Sequence, residues 1–180
     1  GIIKMGGDEV TQEIAYAFDT SLEEAKRLKE SYGSAKKIPQ SDDEFIDFTQ
    51  GSKALHQLSS LDLSEVIEEA YLEIFQALKN ELKHHNLDPI IKSGFVLCGG
   101  GSEIQSIEEL IRGYFSKRVK IGKIQRSRIS GLETVLTDYK YTGSIGLLLH
   151  EGDLSKAKFI VSNGDKGVMG KLKKAIVGNF

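Results

Sequence analysis

The chain has 180 residues, 39% of them apolar, and its 24 Lys and Arg against 26 Asp and Glu leave a formal net charge of −2. That length suits one domain, or two small subdomains of common origin, and the near balance of charge gives no global attraction to nucleic acid. A single cysteine and no Cys/His spacing of the zinc type leave no basis for a disulfide or metal framework and fit a reducing compartment, and no apolar run nears the roughly 20 residues of a membrane-crossing helix.

Gly1-Ile2-Ile3-Lys4-Met5 reads as the tail of a strand. A glycine stands where an initiator methionine would, and Asp8-Glu9 follow too soon for a signal peptide, so a piece of a longer protein is expected. Asp8 is placed to cap a helix whose apolar positions are Val10, Ile14, Ala17 and Phe18. Ser21 and Glu24 form a capping box. The helix after it should bury Leu22, Ala25, Leu28 and Tyr32 and stop at Gly33. Residues 36–43, with Pro39, read as an exposed loop, 44–48 as a strand and 53–60 as another short one. Asp62 and Glu65 make a second capping pair, followed by the clearest helical stripe: Val66, Ile67, Ala70, Tyr71, Ile74, Phe75, Leu78 and Leu82. That helix should end near His84-His85-Asn86. The two histidines point about 100° apart and read as a helix-end feature, not a metal site. Phe95 to Cys98 reads as a buried strand with Cys98 as a small core residue. Ser106 and Glu109 should cap a helix containing Ile107, Leu110, Ile111 and Tyr114. Residues 119–121 read as a strand and 139–150 as a final helix. Strands alternating with helices indicate an α/β fold.

The run Gly94-Phe95-Val96-Leu97-Cys98-Gly99-Gly100-Gly101-Ser102 leads a short apolar strand into three glycines and then into helix-like sequence. Such glycines let backbone turn sharply and approach a bulky planar or phosphorylated ligand that any side chain would hold off. A plain tight turn is the alternative. Lys26 and Lys29 share one helix face and could serve ribose hydroxyls or stack on a base, or could simply be solvated. No Ser-His-Asp or Cys-His arrangement stands out. At the other end, Met169, Leu172 and Ile176 fall on one helical face, flanked by Val168, Ala175 and Phe180, while Lys171, Lys173 and Lys174 lie elsewhere around the wheel. That is a basic amphipathic segment. Its length is marginal for a free helix in water, and Gly164, Gly167, Gly170 and Gly178 weaken it further. An anionic bilayer supplies an apolar surface and attracts the lysines. With no Trp to anchor it, weak, multivalent binding is expected.

Gly6-Gly7-Asp8, then 21–35, the glycine run, Val119-Lys120-Ile121-Gly122, Ile129-Ser130-Gly131-Leu132 and 141–148 follow one another in a recognisable order. In that order and spacing the chain resembles the C-terminal half of the FtsA family, the actin-like ATPases of bacterial cell division. The resemblance covers nearly the whole chain. It includes the basic apolar C-terminus, 166–180, which separates FtsA from other actin-like ATPases.

The resemblance implies an actin-like ATPase (ribonuclease H-like) fold of α/β class, C-terminal half, with an inserted 2B subdomain. Residues 1–8 and 65–150 would form subdomain 2A, 9–64 subdomain 2B, 151–165 a linker and 166–180 a membrane-targeting helix. Phe159-Ile160-Val161 within the linker could pair locally. ATP would be held by Gly6, Gly7, Lys26, Lys29, Gly99, Gly100, Gly101 and Ser102. Lys29 matches the lysine of a Glu-x-x-Lys pattern that grips ribose in relatives, but Lys26 stands where the glutamate would be, which removes an acceptor for the ribose hydroxyls. Ser106 stands where many relatives carry a second glycine. Magnesium ligands and the water-positioning group are expected from the family's N-terminal half. No catalytic residue is therefore assigned, and at most weak ATPase activity is expected, not metabolic catalysis.

Val168, Met169, Lys171, Leu172, Lys173, Lys174, Ile176 and Phe180 would meet an anionic membrane. Lys53, His56, Ala70 and Glu73 mark the region expected to take the C-terminal tail of FtsZ. The implied role is an ATP-binding protein that self-associates into filaments and tethers FtsZ to the cytoplasmic face of the cell membrane at the division site, with other divisome partners. The alternatives are a PilM-like pilus-assembly protein, a chaperone-type ATPase or a sugar kinase. Absence of membrane binding by the tail, or turnover of a peptide or sugar, would favour these.

Overall fold

The computed structural model describes residues 1–37, 44–51, 54–87, 91–124, 135 and 137–153. Lys53, residues 38–43 and 129–132, the pairing expected of 159–161 and the whole basic tail lie outside the described residues. The elements run α1 (Gly7–Ala17), α2 (Leu22–Tyr32), β1 (Phe45–Gln50), β2 (Ala54–Ser59), α3 (Ser60–His84) and β3 (Phe95–Leu97). A 3-10 turn (Gly100–Ser102), α4 (Ile107–Phe115), β4 (Val119–Ile121), a second 3-10 turn (Tyr139–Tyr141) and α5 (Thr142–Asp153) complete the order. Gly1–Gly146 form one compact unit, and a second begins at Leu147 within α5. Residues 1–6 carry no strand, contrary to the reading of 1–5.

In α1, Val10 and Ile14 are fully buried, as their spacing requires, and Thr11 is buried where Ala17 was expected. The helix starts two residues earlier than the Asp8 cap implies. Gly6 takes the N-cap position with extended backbone, and Asp8 and Glu9 stand in the first turn, where carboxylates complement the helix dipole. The capping box of α2 forms: Ser21 Oγ accepts from the Glu24 N–H at 3.2 Å. Ala25 and Leu28 are fully buried, but Leu22 is 59% and Tyr32 43% exposed. An eleven-residue helix buries only its central turns here. Tyr32 instead lies with its ring centroid 5.7 Å from the Arg27 guanidinium.

Arg27 joins α2 to β1. Its guanidinium grips both Glu24 carboxylate oxygens at 2.7 and 2.8 Å and donates to the Asp47 carbonyl at 2.9 Å, while Glu24 accepts from the Thr49 N–H at 3.2 Å. The Arg27 hydrogen bond holds the Glu24 carboxyl below the usual range. β1 and β2 pair antiparallel from Phe45↔Ser59 to Gln50↔Ala54, and the alternation of β1 turns Ile46 and Phe48 inward.

α3 begins earlier than the Asp62–Glu65 pair suggests. Ser59, at the end of β2, is the cap, and its Oγ accepts from the Leu61 and Asp62 N–H groups at 3.1 and 3.4 Å. Leu63, Ile67, Ala70, Tyr71 and Phe75 form its buried face, with Val66 and Ile74 half-buried. At its C-terminus His85 caps the helix through its N–H to the Glu81 carbonyl, and its ring lies 3.1 Å from the Glu81 carboxylate.

β3 and β4 pair in parallel from Phe95↔Val119 to Leu97↔Ile121. Phe95 and Leu97 face the core, whereas Val96 is 67% exposed and Cys98 is exposed. The two-residue period that buries Phe95 and Leu97 puts Val96 and Cys98 on the open face, which corrects the reading of Cys98 as a core residue. In α4, Ile107, Leu110 and Ile111 are buried as expected. Ser106 holds the N-cap position in a left-handed conformation, so its side chain makes no capping bond; only its carbonyl accepts, from Leu110 N–H at 3.1 Å. Phe75 (α3), Phe95 (β3), Tyr114 and Phe115 (α4) close the core as an aromatic cluster, with centroid distances of 4.8 to 5.9 Å.

Leu63→Ala should therefore cost about 2–5 kcal/mol of folding free energy, by lost burial plus the cavity left. Leu22→Ala should stay within about 0.5 kcal/mol. Urea unfolding of the two variants measures the contrast.

Candidate functional site

A polar cleft of about 1010 Å³ opens between the start of α1, the second half of α2, the glycine turn and residues 137–140. Its walls come from segments far apart in sequence, and four contacts bring them together.

The first contact is between the two glycine elements. A Cβ added to Gly7 would lie 3.9 Å from Gly101 Cα, and one added to Gly101 would lie 4.0 Å from Gly7 N. The second is Lys29. Its Nζ donates to the Gly7 carbonyl and to Thr11 Oγ1, each at 2.6 Å, and Thr11 Oγ1 donates to the same carbonyl at 3.1 Å. An ammonium has three N–H groups, so one is left toward the cleft. Burial pulls the Lys29 pKa below its ordinary value, and the nearby Glu30 and Asp8 oppose that pull. The third is Tyr71, whose buried hydroxyl donates to the Gly101 carbonyl at 2.9 Å; burial pushes its pKa up to about 12. The fourth ties the exit of α2 to the segment after the glycine turn: Ala35 N–H donates to the Gln105 carbonyl at 2.8 Å, beside a parallel bridge between Ser34 and Gln105.

Gly6, Gly7, Lys26, Lys29, Gly100 and Gly101 all line the cleft. Gly99 and Ser102 do not line it but shape the turn. Gly99 has φ of +91°, a left-handed conformation that glycine adopts freely. Ser102 is buried, and its Oγ donates to the Gly99 carbonyl at 2.7 Å. Lys26 is largely exposed, with Nζ 3.9 Å from the Glu30 carboxylate. Of the residues marked as a partner surface, His56 and Glu73 are exposed, but Ala70 is buried in the core at 5% exposure, which leaves it no side chain to offer.

Tyr71, Glu30 and Lys140 line the cleft without having been singled out. Tyr71 sits in the α3 apolar stripe and so reads as core. Glu30 follows Lys29 directly, and that adjacency was its one available signal. Lys140 is paired with Asp138 at 2.7 Å. Backbone glycines, an ammonium with a free donor and several carboxylates suit a polar ligand with both anionic and hydroxyl groups. Among the described residues, no group of three His, Cys, Asp or Glu side chains is placed to hold a metal ion. Nor is any described helix long and apolar enough to cross a membrane.

The architecture is shared with two solved structures of the MreB 5 protein of Spiroplasma citri. One, bound to AMPPNP, matches with a TM-score of 0.65 at 20% identity, over 86% of this chain and 46% of that one. The other, bound to ADP, matches at 0.64 and 21%, over 90% and 48%. The chain therefore has the α/β fold of the actin-like ATPases. Residues 1–146 match the family described as Cell division protein FtsA. Curated FtsA proteins are similar as well: that of Buchnera aphidicola from Acyrthosiphon pisum is 35% identical over 155 residues, covering 82% of this chain and 37% of the relative. Those of Pseudomonas aeruginosa and Escherichia coli K12 are each 29% identical, over 99% and 82% of this chain and 45% and 36% of theirs. The chain belongs to the FtsA family of cell division proteins, and it spans less than half the length of these relatives.

Tyr71 yields a prediction with a definite sign. Its folded pKa is raised above the unfolded value, so the stability it contributes is whole below pH 10 and is lost as pH rises through about 12. Tyr71→Phe should cost about 0.5–1.5 kcal/mol at neutral pH. Between pH 10 and 12 wild type should lose up to about 1.4 kcal/mol per pH unit relative to the variant, so the gap should close and then reverse. Paired urea titrations across that range check both.

Proposed function

We propose that this chain forms one wall of an ATP site in an actin-like cell division protein that polymerises and tethers FtsZ to the cytoplasmic membrane at the division site. The observation that carries the nucleotide reading is the meeting of Gly7 and Gly101 beside the Lys29 ammonium in one cleft. The neighbours of like fold were solved with AMPPNP and ADP, which supports the same ligand class here. Gly6, Gly7, Gly100 and Gly101 offer backbone to the phosphates and base, and Lys29 offers its remaining N–H. Gly99 and Ser102 hold the turn in shape. ATP in this reading is a structural or regulatory ligand with at most slow hydrolysis.

The subdomain division follows the same reading: 1–8 and 65–150 as 2A, 9–64 as 2B, 151–165 as linker. Subdomain 2B, with the exposed His56 and the neighbouring Glu73, offers the surface for the FtsZ tail. Residues 166–180 are the membrane anchor, their apolar Met169, Leu172 and Ile176 inserted at the interface and their lysines over anionic headgroups. That places the protein peripherally, on the cytoplasmic side, where filament formation multiplies a weak single-tail affinity. Other divisome proteins are its further partners.

Gly101→Ala tests the cleft. The added Cβ would lie 3.6 Å from Tyr71 Oη, an ordinary contact, and Gly101 has no positive φ, so the fold should survive. Calorimetric titration of the whole protein with ATP should show binding weakened by about tenfold or more, the scale of one displaced charged hydrogen bond. Unchanged affinity would remove the glycine turn from the site. For the anchor, the whole protein should pellet with anionic liposomes and lose this on deletion of 166–180 or on Met169→Glu with Ile176→Glu. Equal pelleting with and without the tail would sink the tether.

A further inference from the structure

We infer that the Lys29 amine is an acylation site: it takes an acyl group from an acyl phosphate whose phosphate occupies the anion position of the cleft. This rests on the nucleotide reading of the cleft, which puts phosphate beside the two glycine elements.

The two hydrogen bonds of Lys29 fix the direction of its nitrogen. Nζ donates to the Gly7 carbonyl and to Thr11 Oγ1, each at 2.6 Å, and Thr11 Oγ1 spends its own proton on the Gly7 carbonyl. The ammonium meets these acceptors with two of its three N–H groups. The neutral amine still has two, so it keeps both contacts, and its lone pair takes the place of the third N–H. What aims a donor into the cleft in one protonation state aims a nucleophile there in the other. Burial favours the neutral form; Glu30 and Asp8 oppose it and Lys26 adds to it.

The other lysines that line the cleft are Lys4, Lys26 and Lys140. Lys140 is held in its charged form by Asp138, whose carboxylate lies 2.7 Å from Nζ and raises the lysine pKa. Lys4 is exposed, and Lys26 is 64% exposed with the Glu30 carboxylate 3.9 Å away. On flexible four-carbon stems in water, neither has a set direction.

In the step, the Nζ lone pair bonds to the acyl carbon. The bond from that carbon to the bridging oxygen breaks, and its electron pair leaves with inorganic phosphate. The surplus proton on nitrogen passes to the departing phosphate. The product amide is uncharged and keeps one N–H, so it serves one of the two acceptors, and the acyl group stands where the lone pair pointed. An acylated chain therefore loses both the ammonium and the space that a nucleotide would use.

The probe is acetyl phosphate, applied to the whole protein between about pH 7 and 10, with Lys29 and Lys26 acetylation read by peptide mass spectrometry. Lys29 should react about tenfold faster than Lys26, and its rate should level off at a lower pH. Bound ATP should slow Lys29 by about tenfold or more and leave Lys26 unchanged. N-hydroxysuccinimidyl acetate, a neutral reagent with no phosphate to dock, should lose most of the preference. Three results overturn the assignment while leaving the nucleotide site standing: Lys29 acetylated no faster than Lys26, an equal preference with the neutral reagent, or a Lys29 rate that bound ATP does not slow. Calorimetry on the unmodified chain reads ATP binding separately. No binding at millimolar concentration overturns the nucleotide reading and this inference with it.

Discussion

One face of α3 sets the position of nearly everything that lines the cleft. Ile67, Tyr71 and Phe75 follow at four-residue intervals, so their side chains stack along one line of the helix. Each makes a different joint. Ile67 packs under Gly33: a Cβ there would come within 3.0 Å of Ile67 Cδ1 and would strike the Lys29 carbonyl, so only glycine lets α2 end against α3. Tyr71 holds the carbonyl of Gly101. Phe75 meets Tyr114 and Phe115, which seat α4 and, through Phe95, the parallel strand pair. A shift of α3 by one turn would therefore separate α2, the glycine turn and α4 at once.

The cleft itself depends on how Lys29 is held. Its ammonium is half-sheltered among α1 and α2, and burial makes its charge costly there. Two internal acceptors, Gly7 O and Thr11 Oγ1, offset part of that cost by direct hydrogen bonds. The sign is the reverse of the Tyr71 case: a lysine with a lowered pKa is strained most at neutral pH, where it is charged. An anion arriving in the cleft relieves that strain, because it favours the charged form. The lowered pKa and the two internal acceptors together describe a lysine held in place by the fold, with a third N–H that the ligand reading proposed for the cleft would use.

Much of this was legible because it is local. Capping by Ser21, the burial of Ala25 and Leu28 and the long α3 stripe depend on residues a few positions apart, and so does the turn at Gly99. The α3 start was misread because Ser59, one position before the helix, outcompetes Asp62 as the cap, and which residue ends β2 is not a local property. Ser106 looks like a cap by type, yet its left-handed backbone turns the hydroxyl away. Cys98 follows an apolar run, but which face of β3 is covered depends on where α4 lands. The family resemblance supplied the pairing of Gly6-Gly7 with the glycine run, which no periodicity could give.

The two kinds of wall in the cleft answer to different constraints. Gly7 and Gly101 stand close enough that a Cβ on either would be in ordinary contact with the other element, so what they present to the cleft is backbone. The α2 wall is made of exposed, flexible-stemmed side chains on a helix whose hold on the fold comes from Ala25, Leu28 and the Arg27 latch. Charges on that outer face can be exchanged between positions 26 and 30 without disturbing the packing beneath, because neither side chain is buried. A lysine at 26 is therefore compatible with the packing of α2. The place where this chain departs from the expected pattern is also the place where the fold constrains sequence least.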